Sequence, residues 1–377
     1  MNGIKFNRQE LSGAFGDIGT DFPLIVAMIL TTGLHGPSVL ITFGLLQIFT
    51  GLVYKIPMPV QPLKAMATIV ISQKIAGNIL LGAGLAIGLV MFFLSLVGLL
   101  EKLTKLIPKA VVRGIQLGLG ISLCIIALKE YIPSEQISGY LIAIVAFTIT
   151  ILLIDNKYLP VAFLIILLGV IYALIFNVNI QVIRNSIGIN LPQFHIPTIE
   201  DIITGFVLLA LPQIPLSLGN SIIATKQVTD DLFPEKNLSV KKIGITYSIM
   251  NLVSPFLSGV PCCHGSGGVI GHYTFGGRTG GSVVIYGIFY ILLGLFFGSS
   301  FEEIVKVFPL PILGVILLFE GVAMMSLIKD LTEEKRDFFI AVLVGAIATG
   351  LPYGFVIAIT IGTLIFYSPV RIKSLAR

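Results

Sequence analysis

The sequence predicts an all-α polytopic membrane protein with fourteen transmembrane spans, arranged as a seven-plus-seven inverted repeat. The chain of 377 residues is 55% hydrophobic and only 11% charged, whereas a soluble domain carries about 25% charged residues. Apolar runs, most of them close to the ~20 residues that a bilayer needs, recur along the whole chain. Two runs are short and interrupted by proline and glycine, and they occupy corresponding places in the two halves.

Polar or proline-containing segments separate the predicted spans. The third and tenth spans are too short to cross a bilayer as regular helices, and each begins at a proline-containing polar stretch. We therefore expect a short extended segment before each of these two half-helices. The fourteen spans are 11–33, 36–54, 60–75, 79–100, 108–129, 138–155, 158–177, 201–226, 241–256, 262–275, 280–298, 309–328, 337–351 and 353–369.

The distribution of basic residues predicts the orientation. When the N-terminus is placed inside and the spans alternate, nineteen of the 24 Lys and Arg residues face the inside. Four face the outside, and Lys64 lies within a span. Because cytoplasmic loops are rich in Lys and Arg, we expect a multi-pass protein of the cytoplasmic membrane with both termini in the cytoplasm.

Internal similarity supports the repeat. The segment IPKAVVRGIQLGLGISL at 107–123 aligns with FPLPILGVILLFEGVAM at 308–324, and Pro57 in PMPVQP aligns with Pro261 in GVPCCHG. Two halves with an odd number of spans each insert with opposite topology, which is a recurring design of transporters. The repeats cover about 8–178 and 199–370 of a single transporter domain, 1–377.

The interrupted spans predict an anion site. The start of a helix presents unpaired N–H groups and a partial positive charge, so two such starts that meet near the midplane favour a negatively charged ligand. Lys64 adds a full charge, although snorkelling to the interface or pairing with Asp17 or Asp21 would also explain it. The expected substrate-binding residues are Gln61, Lys64, Gln213, His264, Gly265, Ser266 and Gly267.

Three acidic residues are candidates for proton coupling. Asp17 and Asp21 are four residues apart on one face of the first span, where two carboxylates cannot easily both stay ionised in a dry site. The alternative is that this stretch lies close to the cytoplasmic surface and that the two aspartates are solvated or form salt bridges there. Glu320, in the twelfth span, is either a coupling residue or an acid paired where helices pack.

The segment GVPCCHGSGGVIGHYTFGGRTGG, residues 259–281, resembles other kinds of site only superficially. A Walker loop requires a Lys after its glycines, and this segment has none. Its two cysteines are adjacent, whereas zinc and redox CxxC motifs separate them by two residues. We expect no metal and no cofactor, and we interpret the cysteines as incidental and His272 as a packed histidine.

The motifs GAFGDIGTDFPLIVAM, PMPVQPLKAMA and PCCHGSGGVIGHYTFGGRTG together resemble the molybdate transporter family, which is related to the SulP sulfate permeases. The resemblance implies uptake of molybdate, with sulfate as a related substrate. It also implies a core of spans 1–4 and 8–11 and a gate of spans 5–7 and 12–14, as in uracil-permease and SulP folds. The anion would lie between half-helices 3 and 10. We expect no STAS domain, because the chain ends just after the last span.

The predicted function is proton-coupled secondary transport of an oxyanion rather than catalysis. The expected partners are molybdate or sulfate and the lipid bilayer, not nucleic acid, while a homodimer is left open. A nucleobase permease of the same fold and an anion channel are the main alternatives, and an intramembrane enzyme built on Cys263 and His264 is a third.

Overall fold

The computed structural model describes residues 3–100, 102, 108–153, 161–173, 175, 188–297 and 308–368. These residues form α helices joined by short π and 3-10 segments, together with one two-stranded ribbon. The first half contains α1 (Arg8–Ala14), α2 (Ile18–Thr32), α3 (Gly36–Tyr54), β1 (Val60–Pro62), α4 (Lys64–Gln73), α5 (Gly77–Leu96), α6 (Lys109–Ile126), α7 (Gln136–Leu153) and α8 (Val161–Tyr172). The second half contains α9 (Ile199–Gly205), α10 (Leu211–Leu216), α11 (Thr225–Leu232), α12 (Val240–Val253), β2 (Cys262–His264), α13 (Ser266–Thr274), α14 (Gly281–Phe297), α15 (Leu310–Ser326), α16 (Lys335–Gly350) and α17 (Gly354–Tyr367).

Helical structure lies at each of the fourteen predicted spans. Within the described residues, five helical segments are long and apolar enough to cross a membrane, and the bent pair of α1 and α2 would make a sixth. The five are Gly36–Tyr54, Gly77–Leu96, Lys109–Leu153, Ile199–Leu232 and Leu310–Leu331. The protein is therefore a multi-pass membrane protein, while the count of fourteen spans and the inverted repeat stay predictions. The ends of the sixth, seventh, eleventh and fourteenth predicted spans lie outside the described residues.

The eighth predicted span is longer than expected. Helix continues from Ile199 to Leu232 because π segments at Phe206–Ala210 and Ser217–Ala224 join α9, α10 and α11. Pro212 lies at the start of α10 and Pro215 lies inside it. Each proline removes an N–H donor from the helix, and π-type turns let the chain continue past such a defect.

The helices pack in two groups. In the first group, α3 packs along α14, and α5 packs against α9 and α12. In the second group, α6 packs against α15 and α16, and α16 packs against α17. The first group corresponds to the expected core and the second to the expected gate, and α4 of the core contacts α6 of the gate.

An antiparallel ribbon joins the two interrupted spans, which confirms the extended segments predicted before half-helices 3 and 10. Val60 pairs with His264, Gln61 with Cys263, and Pro62 with Cys262. The half-helix α4 follows β1 directly, and the half-helix α13 follows β2. The ribbon thus fixes the starts of both half-helices beside each other in the interior of the protein, where all six strand residues are buried.

Candidate functional site

A small cavity of about 50 Å³ lies beside the start of α4, between the core and the gate. Most of its polar lining comes from the core, and one amide side chain comes from α6 of the gate. Its lining residues are Gln61, Lys64, Gln116, Gln213, Leu216, Asn220, Ser221, Cys263, Met324 and Leu327. The cavity therefore contains three of the predicted binding residues, which are Gln61, Lys64 and Gln213.

Gln213 binds the first turn of α4. Its Oε1 accepts hydrogen bonds from the backbone N–H groups of Ala65 and Met66, at 2.9 and 3.3 Å. Its Nε2 donates to Ser217 Oγ at 3.1 Å, and this hydroxyl lies 2.8 Å from the hydroxyl of Tyr247. A fully buried amide oxygen thus satisfies the N–H groups that the start of a helix otherwise leaves without partners.

Lys64 forms an ion pair with Glu320. The side chains are 23% and 14% exposed, and the pair joins α4 of the core to α15 of the gate. The sequence left open that Lys64 pairs with Asp17 or Asp21, but the structure shows it paired with Glu320 instead. Glu320 is therefore an acid paired where two helices pack. It does not itself line the cavity, but its partner Lys64 does.

Asp17 holds Gln61 in place. Gln61 Nε2 donates to both carboxylate oxygens of Asp17, at 2.8 and 2.7 Å. The Oε1 of Gln61 lies against Gly265, where a Cβ atom would collide with it. Asp17 is buried rather than solvated, so the surface alternative for this acid is wrong.

Asp21 is fully buried one turn further along α2, so it is not solvated either. Within the described part of the chain, neither of its oxygens has a hydrogen-bond partner, although the side chain of Tyr286 approaches it. A buried charge without a partner is strongly unfavourable. Asp21 therefore has the environment of a carboxyl group that is stable only when it is neutral or receives a partner.

The remaining predicted binding residues lie around the second half-helix and do not line the cavity. Ser266 Oγ donates to Asn220 Oδ1 at 3.2 Å, and a Cβ at Gly267 would meet no atom within 4 Å. His264 is fully buried and its Nε2 lies 2.7 Å from Thr246 Oγ1. Successive strand residues point to opposite sides, so Cys263, rather than His264, faces the cavity.

The interpretation of the cysteines as incidental needs correction for Cys263. This residue lies directly opposite Gln61 in the ribbon and lines the cavity.

Two further lining residues, Ser221 and Gln116, are not among those predicted from the sequence. Gln116 could have been noticed, because it is an uncharged polar residue in an otherwise apolar part of the fifth span. Among the described residues, no group of His, Cys, Asp and Glu could hold a metal ion.

Comparison with known proteins identifies relatives over nearly the whole chain. The family model described as "Molybdate transporter of MFS superfamily" matches residues 9–123 and 205–324. Molybdate transporter 2 of Arabidopsis thaliana is 32% identical over 391 residues, which cover 91% of this chain and 83% of that protein. Molybdate transporter 1 of the same plant is 33% identical over 391 residues, covering 90% and 84%. Molybdate transporter 1 of Chlamydomonas reinhardtii is 24% identical over 449 residues, covering 89% and 86%.

Solved structures share the fold at low sequence identity. The transmembrane domain of the cyanobacterial bicarbonate transporter BicA superimposes with a TM-score of 0.68 and 17% identity, covering 97% of this chain and 99% of that one. SLC26A9 superimposes with a TM-score of 0.70 and 13% identity, covering 96% of this chain and 66% of that one.

Proposed function

The chain belongs to the molybdate transporter family, and we propose that it imports molybdate, or a related tetrahedral oxyanion such as sulfate, across the cytoplasmic membrane by proton-coupled alternating access. The members of this family are transporters and not enzymes. Three curated relatives carry the name molybdate transporter. A bicarbonate transporter and an SLC26 anion transporter share the fold, which supports an anion as the class of substrate.

The pairing of Lys64 with Glu320 beside the start of α4 is the observation that carries this proposal. Lys64 lines the small cavity and pairs with Glu320, and the first-turn amides of α4 next to it donate to Gln213, which lines the same cavity. A tetrahedral oxyanion presents oxygens of the same kind. An oxyanion at this place would therefore replace protein acceptors that already fit the donors.

Glu320 is the acid that we assign to proton coupling. A dianion next to Lys64 repels the Glu320 carboxylate, and this repulsion favours uptake of a proton by Glu320. Lys64 then binds the oxyanion while neutral Glu320 stays at the same contact. Binding of the anion and binding of the proton thus strengthen each other, which is the requirement for symport.

The membrane potential explains why coupling is needed. An inside-negative potential opposes the entry of an anion by about 2.3 kcal/mol per charge for each 100 mV. A dianion carries two such charges, so one proton on Glu320 offsets half of the penalty. Asp17 and Asp21 remain candidates for a second proton. Asp21 is the better candidate of the two because it has no hydrogen-bond partner among the described residues.

Alternating access follows from the position of the ion pair. Lys64 lies on the core and Glu320 lies on the gate, and their contact is replaced in part by the oxyanion in this proposal. The core would then move against the gate and expose the cavity to either side. Gln61, held by Asp17, and Ser266, held by Asn220, would travel with the core.

Equilibrium binding of radiolabelled molybdate to the purified full chain tests the proposal. We expect saturable binding that sulfate and tungstate compete for and that uracil does not. Lys64→Gln should weaken binding at least about tenfold, since a hydrogen bond to a charged group contributes about 1.5–3 kcal/mol. Glu320→Gln should bind molybdate at least as tightly as the wild type, because Lys64 no longer has a charged competitor.

Lys74→Gln provides the matched control. Lys74 ends the same half-helix but is 70% exposed and pairs with Glu130 at the surface, so its loss should leave molybdate binding unchanged. Absence of saturable oxyanion binding would overturn the proposal. Competition by uracil would favour a nucleobase permease, and flux without saturation would favour an anion channel.

A further inference from the structure

A second, larger cavity adjoins the candidate site. It has a volume of about 430 Å³, and it shares Gln116, Asn220 and Leu327 with the small cavity beside Lys64. Its gate wall carries two cationic side chains, Lys109 and Arg113. The opposite wall belongs to the helical run of the eighth predicted span, which contributes mainly apolar and small residues. This larger cavity is called the vestibule below.

The polar residues of the vestibule form one stripe on α6. Lys109, Arg113 and Gln116 are spaced four and three residues apart, which places them on one face of a helix. All three line the vestibule, and Gln116 also lines the small cavity. The stripe therefore leads from the substrate cavity along the gate, one helical turn at a time.

Arg113 is incompletely satisfied in this stripe. Its Nη1 donates to Gln116 Oε1 at 2.8 Å, and its Nη2 donates to Asp330. Its Nε is buried and has no hydrogen-bond partner in the described part of the chain. Lys109 also approaches Asp330, with its Nζ 3.7 Å from the carboxylate. Among the described residues, Asp330 is the carboxylate that pairs with both Lys109 and Arg113, and it leaves the Nε of Arg113 without an acceptor.

We propose that Arg113 and Lys109 form a second oxyanion-binding site, called the second station, in addition to the first station beside Lys64. The transported anion would displace Asp330 there as it moves between the substrate cavity and the protein surface. Nε and Nη2 lie on the same edge of a guanidinium, and that edge matches two oxygens of a tetrahedral oxyanion. Asp330 occupies only half of the edge. The station rests on the proposed function, because its ligand is the transported anion.

The displacement gives Asp330 a specific role. A carboxylate that competes for Arg113 keeps the second station weak, so that an anion does not stay there and block the path. Conduction through a series of sites requires that each site bind well enough to be entered and weakly enough to be left. Removal of the competing charge should therefore strengthen binding at this station and leave the station beside Lys64 in place.

The number of molybdate ions bound per chain, measured with radiolabelled molybdate on the purified full chain, tests this inference. We expect a tight component, which Lys64→Gln should weaken at least about tenfold, and a weak component whose affinity that variant leaves unchanged. Asp330→Asn should tighten the weak component roughly three- to fivefold, as expected for removal of one partly exposed ionic contact. The double variant Arg113→Gln/Asp330→Asn should lose the weak component and retain the tight one.

The double variant removes one charge of each sign, so it keeps the net charge of the protein, and the cation that loses Asp330 as its partner, Lys109, is 59% exposed. Lys129→Gln is the matched control, because Lys129 is an exposed cation just beyond the other end of α6. A weak component that persists in the double variant, or a single component in both the wild type and Asp330→Asn, would overturn the second station alone. No molybdate binding in any protein would overturn the proposed function as well. Lys109→Gln, which should weaken only the second component, decides the question if the double variant does not fold.

Discussion

In the proposed mechanism, Lys64 pairs in turn with Glu320 and with the oxyanion. A cation buried in a membrane protein needs a counter-charge, and Glu320 supplies it in this structure. A binding residue must also be able to exchange its partner for the ligand. The same reasoning applies to Gln213, whose amide oxygen accepts from the first turn of α4 without adding a charge. A neutral acceptor at this position keeps the positive potential of the cavity.

Gln213→Glu tests the need for a neutral acceptor. The carboxylate should still accept from Ala65 and Met66, so the fold and the melting temperature should change little. It should nevertheless weaken molybdate binding at least about tenfold, because it places a negative charge where the dianion binds. Binding and thermal unfolding of the purified variant are the two measurements. Unchanged affinity would show that Gln213 does not face the anion.

The contact between Gly265 and Gln61 predicts a difference between neighbouring glycines. Gly265→Ala should force Gln61 away from Asp17 and destabilise the protein by about 1–3 kcal/mol, as overpacking typically does. Gly267→Ala should have no such effect, because no atom lies within 4 Å of the added methyl group. Melting temperatures of the two variants in detergent would show the difference, and equal destabilisation would contradict the packing described.

At the scale of elements, the ribbon determines which side chains share the cavity. The sequence predicts two extended segments and two half-helices, and the structure confirms both segments. The register of the strands is not predictable from either segment alone, because it joins residues about two hundred positions apart. A shift of one residue reverses the face of every side chain. The expected donor, His264, consequently lies away from the cavity while Cys263 lines it.

This alternation predicts a difference in reactivity between Cys262 and Cys263. In a background with Cys124→Ser and Cys262→Ser, a methanethiosulfonate reagent should modify Cys263 when the cavity opens and should block transport. Molybdate should protect Cys263 by occupying the same space. The corresponding protein that retains only Cys262 should react far more slowly, since Cys262 is fully buried and does not line the cavity. Equal reactivity of the two thiols would contradict the register.

At the scale of the whole molecule, hydrophobic runs predict the helices well and their continuity less well. The second predicted span, 36–54, coincides with α3, and the eleventh, 280–298, begins one residue before α14, while its last residue lies outside the described part of the chain. The eighth span extends to Leu232 because π segments continue the helix around two prolines. The sequence predicts one span across both prolines, and the structure shows that π segments carry the helix past them.

The ion pair of Lys64 and Glu320 connects the two groups of helices. Lys64 belongs to the core and Glu320 to the gate, so exchange of this ion pair for an oxyanion changes the contact between the two groups. In the proposed mechanism, one acid on the gate therefore links proton binding to anion binding on the core.

Uptake of radiolabelled molybdate into proteoliposomes, with and without an imposed pH gradient, tests this link between Glu320 and the anion. The wild type should accumulate molybdate faster when the outside is more acidic, because protonation of Glu320 frees Lys64 for the anion. In Glu320→Gln, which is permanently neutral at this position, the acceleration that depends on Glu320 should be lost while molybdate still binds, and any response that remains would come from a second acid. Uptake by Glu320→Gln that keeps the full response of the wild type to the pH gradient would contradict the account.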